Sequence, residues 1–149
     1  MTVTLHPVDH AAWEGDAQAQ IDLARIYSDA PQERLPAPVD AFIHDYLAAG
    51  HRFLCARFND RLIGAVAQRD DGEAWWLSHF CVRKTTRRRG VGTRLLTLVG
   101  HEAQAQGKPL RAEIAQLQLA DQVLLARLGY RLEQHSGFYQ LLLPGGGQR

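Results

Sequence analysis

Thr2–Val8 alternates polar and apolar side chains, the two-residue period of a half-buried strand. Ala17–Ser28 places Ile21, Ala24 and, on the next turn, Tyr27 at helical spacing, which predicts a helix with those three on its inner face. Pro31, Pro36 and Pro38 break the chain into a loop. Asp40 is then expected to N-cap a helix over Ala41–Ala49, with Phe42, Ile43, Tyr46 and Leu47 on one face and Gly50 as the stop. Arg52–Phe58 and Arg61–Gln68 read as strands joined by Asn59-Asp60, two residue types that tolerate positive φ and so predict a tight hairpin. Asp70-Asp71-Gly72 marks another turn before an aromatic-rich strand, Ala74–Val82. Trp75 and Trp76 fall on opposite faces of that strand, so one belongs to the core and the other is free to line a groove. His79 alternates with Leu77 and Cys81 on one face.

Beyond Val82 the period changes. Arg87-Arg88-Arg89-Gly90-Val91-Gly92 leads into a helical run, Thr93–Gln106, with Leu95, Leu96, Val99 and Ala103 inward, ended by Gly107 and Pro109. Leu110–Ala115 predicts a strand, Leu119–Leu128 a helix stopped by Gly129, and Tyr130–His135 with Phe138–Leu143 a last hairpin around Ser136-Gly137. The order β-α-α-β-β-β-α-β-α-β-β has no internal repeat and no linker. It describes one α/β domain over residues 1–143, with a Gly-rich tail at 144–149.

Composition fits that picture: 149 residues, 46% apolar and 22% charged, enough for one core without disulfide or metal staples. No segment approaches the roughly 18 apolar residues of a membrane span, and no basic stretch followed by an apolar one opens the chain. Cys55 and Cys81 lie within strands and read as buried small hydrophobes, and no Cys/His spacing suits a metal. A cytoplasmic location is expected.

The net charge of +1 conceals an asymmetry: residues 1–50 carry eight acids and two bases, while 51–149 carry fifteen bases and eight acids. Arg83, Lys84, Arg87, Arg88, Arg89 and Arg94 crowd into twelve positions. They flank a glycine-containing turn between a strand and an amphipathic helix. A helix start leaves backbone N–H groups without partners and carries partial positive charge, so the arrangement is a phosphate seat. It is not a Walker A loop, because no Gly-Lys-Ser/Thr follows, nor the dinucleotide fingerprint, because Gly90-x-Gly92 lacks a third glycine. A nucleic-acid site is a rival reading of the basic cluster, but no aromatics are interleaved for base stacking.

Arg87-Arg88-Arg89-Gly90-Val91-Gly92 resembles the Arg/Gln-x-x-Gly-x-Gly/Ala signature of the GNAT superfamily of acetyl-CoA-binding acetyltransferases, and the element order and Leu128-Gly129-Tyr130 agree. The resemblance implies a GNAT-type (acyl-CoA N-acyltransferase) fold, a mixed central sheet flanked by helices. It implies a pyrophosphate seat at Arg87, Arg88, Arg89, Gly90, Val91, Gly92 and Thr93, with Thr86 just outside. It also implies a pantetheine track along Phe80, Cys81 and Val82, where the fourth and fifth strands splay apart.

A narrower set, Ile21-Asp22-Leu23, Ala56-Arg57-Phe58-Asn59 before Arg61-Leu62, and Thr86 through Gly92, together with Ala126 through Tyr130, resembles the PanZ (PanM) family. That resemblance implies an acetyl-CoA sensor. Such a protein binds the aspartate α-decarboxylase zymogen, promotes its self-cleavage and so regulates β-alanine and pantothenate supply. Arg57, Phe58 and Asn59 match the partner-facing segment. The chain differs from that family in a longer stretch between Tyr27 and His51 and in its Gly-rich end.

The alternative implied by the superfamily is transfer of acetyl to an amine. That chemistry needs a base for the ammonium and an acid for the thiolate. The tyrosine that many GNAT enzymes use as the acid falls here at Leu125, which holds no proton; Tyr130 or Tyr139 would have to substitute. The position often Asn falls at Gln118 and the one often Ala at Asp121. Candidate bases are Glu73, beside a turn, His79, and Glu113, which shares a strand face with Arg111 and is expected to pair with it.

Overall fold

The computed structural model describes residues 2–133 and 135–142. The proposed tail at 144–149 lies outside them. Seven strands, β1 (Thr4–Val8), β2 (Arg52–Phe58), β3 (Arg61–Asp70), β4 (Trp75–Val82), β5 (Leu110–Glu113), β6 (Arg131–Glu133) and β7 (Phe138–Leu141), form one sheet in the order β1-β2-β3-β4-β5-β7-β6. Neighbours are antiparallel except β4 and β5, which run parallel. The sheet is mixed, as expected. Asn59 and Asp60 both take positive φ, 49° and 62°, so the β2–β3 turn is the tight hairpin their residue types predict.

Helices cover both faces. On one side α4 (Val91–Ala105) and α5 (Leu119–Arg127) bury Leu95, Leu96, Val99 and Leu125 against Leu54, Val66, Trp75 and Leu77. On the other, α2 (Ala17–Ser28) and α3 (Val39–Ala48) bury Leu23, Ile26, Tyr27, Phe42 and Leu47 against Phe53, Cys55, Ala65 and Cys81. Where a central strand is covered on both faces it stays apolar at successive positions, which is why Phe53–Ala56 shows no polar alternation.

Several local expectations change. A five-residue helix, α1 (His10–Glu14), is capped by Asp9, whose carboxylate accepts from the Ala12 amide at 2.8 Å; it is too short to show a period. The third helix starts at Val39 rather than Ala41, so Asp40, expected as its N-cap, lies in its first turn and adds favourable charge there instead. In α2 the inner face is Ala19, Asp22, Leu23, Ile26 and Tyr27, while Ile21 is 47% exposed. An acid on the inner face masked the stripe. Asp22 is buried because it is paired, and its presence shifts the apparent apolar set by one position. The fifth strand stops at Glu113 and the sixth begins at Arg131.

Candidate functional site

The strand that carries the site changes face halfway along. β4 pairs with β3 at Ala67↔Ser78 and Ala65↔Cys81, so His79 and Phe80 together oppose Val66, a bulge with His79 at φ 50°. Trp75 and Leu77 face the α4/α5 core before the bulge; afterwards Phe80 and Val82 do so, and Cys81 faces α2. The expected grouping of Leu77, His79 and Cys81 on one face therefore fails, because the extra residue reverses the alternation. Tyr27, fully buried, holds the bulge by donating its hydroxyl to the His79 carbonyl at 2.7 Å.

β4 meets β5 only at Trp75↔Leu110 and Trp76↔Arg111. Further along the strands diverge, and β4 from Leu77 onward has no β5 partner. The wedge holds a small apolar cavity of about 20 Å³ lined by Val66, Leu77, Phe80, Leu124 and Leu125 among others. It adjoins an open groove of about 460 Å³ whose floor is Phe80, Cys81 and Val82 and whose end is the turn into α4. Thr86, Arg87, Arg88, Gly90, Val91, Gly92 and Thr93 line that end; Arg89 does not. The groove therefore gathers ten of the eleven residues expected to hold a coenzyme.

The turn combines left-handed backbone with an uncapped helix start. Arg88 and Gly90 have φ of 68° and 78°, and left-handed residues in a turn can aim successive amides at one concave side. α4 begins with Gly90 as N-cap and no side chain capping it, and the first N–H to bond inside the helix is that of Arg94, to the Gly90 carbonyl at 3.0 Å. The amides of Val91, Gly92 and Thr93 precede it and open onto the groove. A Cβ on Gly92 would sit 2.8 Å from the Phe80 ring, so only glycine fits there without moving the groove floor.

The bases divide their work. Arg83 donates its Nε to Asp29 at 2.9 Å, and the same Asp29 oxygen accepts from the Lys84 amide at 3.0 Å. Arg87 donates to the carbonyls of Val82, at 3.1 Å, and Asp29, at 3.0 Å. These side chains brace the turn against the end of α2. Arg88, lining the groove, and the exposed Arg89 and Arg94 are left to supply charge.

Residues that sequence reasoning did not assign to the groove are Pro31, Ala120, Leu124, Gln118 and Asp121. They come from the loop after α2 and the start of α5, distant in sequence from the glycine turn. Asp121 lines both groove and cavity, and burial pushes its carboxyl above the ordinary value.

The candidate bases and acids scatter. Leu125 is buried in the apolar cavity, where Ser78 carries the hydroxyl. Tyr130 is 4% exposed and packs in the α4 core away from the groove, so it is out of reach as a proton donor. The Tyr139 hydroxyl meets Gln122 at 3.4 Å. His79, half-buried against Phe42 with ring centroids 4.8 Å apart, is held toward its neutral form by burial and by the Arg34 charge. It shares a separate hollow of about 140 Å³ with Trp76, Tyr46 and the exposed Glu113. The expected Arg111–Glu113 pair is absent: Arg111 stacks near Trp76 and Phe138 and reaches Glu73 at 3.7 Å. Among the described residues no group of three metal-ligating side chains occurs, and no helix is long and apolar enough to cross a membrane.

Arg57, Phe58 and Asn59 stand together at the β2–β3 turn, away from the groove. Arg57 pairs with Asp60 at 3.1 Å, and Arg61, next in line, with the buried Asp22.

Comparison with known proteins gives a concordant result. The family described as "Acetyltransferase (GNAT) domain, PanZ" matches residues 12–128. A PanD regulatory factor from Salmonella typhimurium is 38% identical over 96 residues, covering 64% of this chain and 65% of that protein. The PanD regulatory factor of Escherichia coli is 38% identical over 79 residues, covering 53% and 54%. The matched stretches thus span about two thirds and half of these relatives' lengths. The solution structure of YhhK from E. coli bound to coenzyme A superposes with a TM-score of 0.66 at 26% identity, covering 95% of this chain and 99% of that one. A GNAT-family protein from Desulfovibrio desulfuricans gives a TM-score of 0.71 at 17% identity, covering 95% and 99%, a likeness of fold.

Proposed function

Because the chain belongs to the PanZ family of GNAT domains, we propose that it is an acetyl-CoA-binding regulator that promotes self-cleavage of the aspartate α-decarboxylase zymogen and so controls β-alanine and pantothenate synthesis. One observation carries the coenzyme half of this reading. The uncapped start of α4 opens onto a groove that runs on into the gap between β4 and β5. A diphosphate seats on the amides after Gly90, and the pantetheine arm lies along Phe80–Val82, whose outer backbone edge has no β5 partner. A few charge-assisted bonds at roughly 1.5–3 kcal/mol each, less ordering costs, suffice for micromolar affinity, about −8 kcal/mol.

Support for the partner half is the PanD regulatory factor relatives, together with Arg57, Phe58 and Asn59 presented at a tight turn. No transfer of acetyl is needed in this role, and the lack of a hydroxyl at Leu125 fits it. The second reading, an amine acetyltransferase, draws on the hollow lined by Glu113 and by His79, which burial holds toward its neutral form.

Two measurements separate them. Purified chain is mixed with the zymogen with and without acetyl-CoA, and both co-elution and appearance of the cleaved, pyruvoyl-containing form are followed. Acetyl-CoA-dependent association and faster cleavage are expected; association absent in both conditions overturns the regulator. Thiol release from acetyl-CoA across a panel of amines reports the transferase and is expected to stay at background.

A further inference from the structure

One helix touches both ends of the proposed regulator. Near its middle, Asp22 of α2 accepts from the Arg61 guanidinium, at 2.6 Å from Nη2, and from the Leu62 amide at 3.0 Å, the first residues of β3 after the partner-facing turn. At its end, Asp29 accepts from Arg83 and the Lys84 amide and, through its carbonyl, from Arg87. The two acids are seven residues apart, about 10 Å at the helical rise. Between them Tyr27 holds the β4 bulge and the Ile26 carbonyl accepts from the Cys81 thiol at 3.3 Å. Every one of these contacts is long-range in sequence, and each joins α2 to a part of the proposed site.

We infer that Asp29 is a positioning residue for the coenzyme turn and that α2, gripped by Asp29 at one end and Asp22 nearer the other, carries the state of that turn to the β2–β3 hairpin. The inference rests on the coenzyme and partner reading above and adds the link between its two halves. The physical basis is preorganisation. The Asp29 carboxylate holds Arg83 and the Lys84 amide, and its carbonyl holds Arg87, which also lines the groove. A diphosphate seated on the turn needs that braced geometry, so its hold and the Asp29 bonds strengthen each other. Because Asp29 is continuous with the helix that holds Arg61 and Leu62, the hairpin feels the tightening. Coupling of this kind requires that each ligand change the contacts made by a shared element, and α2 is the element both sites bond to.

The test needs no partner. Amide hydrogen exchange is measured on the full chain with and without saturating coenzyme A, occupancy being set by calorimetry for each variant. In the wild type, coenzyme A is expected to slow exchange in residues 84–94 and to change the rate at residues 59–63 by about threefold or more. Asp29→Asn keeps an oxygen acceptor but removes the charge; about tenfold weaker binding is expected, and at matched occupancy the hairpin response is lost while the turn stays protected. Arg83→Gln removes the same ion pair from the other side and is expected to behave alike, which covers a folding defect peculiar to one variant. Asp22→Asn should leave coenzyme affinity within twofold of wild type and abolish the hairpin response. A wild-type hairpin that ignores bound coenzyme, or an equal response in Asp29→Asn and wild type, overturns the link while leaving the coenzyme reading intact. No heat and no protection of residues 84–94 overturns both.

Discussion

Asp22 and Arg61 form a forked ion pair in which the carboxylate is 1% exposed and the guanidinium side chain 43%. Both carboxylate oxygens accept from Arg61 Nε at 3.1 Å, one accepts from Nη2 and from Gln18, and the other takes the buried Leu62 amide. A buried carboxylate is tolerated only when its lone pairs are filled in this way. Asp22→Ala leaves the Leu62 N–H unpaired and Arg61 without its acid. We expect a loss of about 2–4 kcal/mol of stability, by the usual cost of breaking a buried charge-assisted pair. Urea unfolding of wild type and variant measures it; a difference under about 1 kcal/mol would mean the pair is dispensable.

The same acid sets a pH dependence. Burial raises the Asp22 carboxyl, but the bonds from Arg61, Leu62 and Gln18 outweigh that and leave it below its ordinary value of 3.8. Asp29 is lowered likewise, and Asp71, bonded by the Ala74 and Glu73 amides and Trp76, falls to about 2. Groups depressed on folding contribute fully above the unfolded value and lose that contribution as pH falls through the folded one. Stability is therefore expected to be flat on this account above about pH 4 and to decline below it. Asp22→Asn should make the acid limb shallower, a change readable from denaturation midpoints at pH 5 and pH 3.

Gly92 lies one residue into α4, and its missing side chain leaves room for both the Phe80 ring and an approaching anion. Gly92→Asp places a negative charge in the proposed phosphate seat. The helix itself tolerates acid in its first turn, so the fold survives. Coenzyme A binding is expected to be undetectable in the aspartate variant and weakened several-fold in Gly92→Ala, which isolates displacement of Phe80 from repulsion. Calorimetry on both variants decides; wild-type affinity in Gly92→Asp would remove the anion from this turn.

The elements with a strong period were legible from residues alone. α2 matches its expected bounds, Ala17–Ser28, and β2 and the Asn59-Asp60 turn match theirs. What escaped depended on partners far along the chain. The α2 inner face departs from its apolar pattern because Asp22 owes its burial to Arg61, thirty-nine positions away. Leu77 parts from His79 and Cys81 because a bulge breaks a two-residue period without any glycine to announce it. Asp29 carries no local signal, since Arg83 and Arg87 reach it only after the sheet has formed. The glycine turn itself was visible because its chemistry is local: glycines, bases and a helix start in a dozen residues.

Cys81 floors the proposed pantetheine track yet is 5% exposed, and burial raises its thiol above the ordinary value. Cys55 is fully buried and raised further. Thiols in this state are poor nucleophiles. Native chain is expected to react with iodoacetamide at least tenfold more slowly than unfolded chain. Saturating coenzyme A should slow Cys81 further and leave Cys55 unchanged, as read by mass spectrometry of the two peptides. Equal slowing at both cysteines would point to general stabilisation rather than cover of the track.

Arg57 and Asn59 test the partner half in isolation. Arg57 is partly exposed and its acid neighbour Asp60 is 90% exposed, so the pair between them adds little to stability. Asn59 sits at φ 49°, where alanine brings strain of about 1–2 kcal/mol. Arg57→Ala should therefore leave both folding and coenzyme A affinity unchanged, while Asn59→Ala loses some stability without touching the groove. Both are expected to weaken acetyl-CoA-dependent association with the decarboxylase zymogen by tenfold or more, with Asn59→Gly, which relieves the strain but not the lost amide, as weak as Asn59→Ala. Recovery of association in Asn59→Gly would trace the effect to turn geometry. Loss of coenzyme binding in Arg57→Ala would mean that the hairpin and the groove are not separate sites.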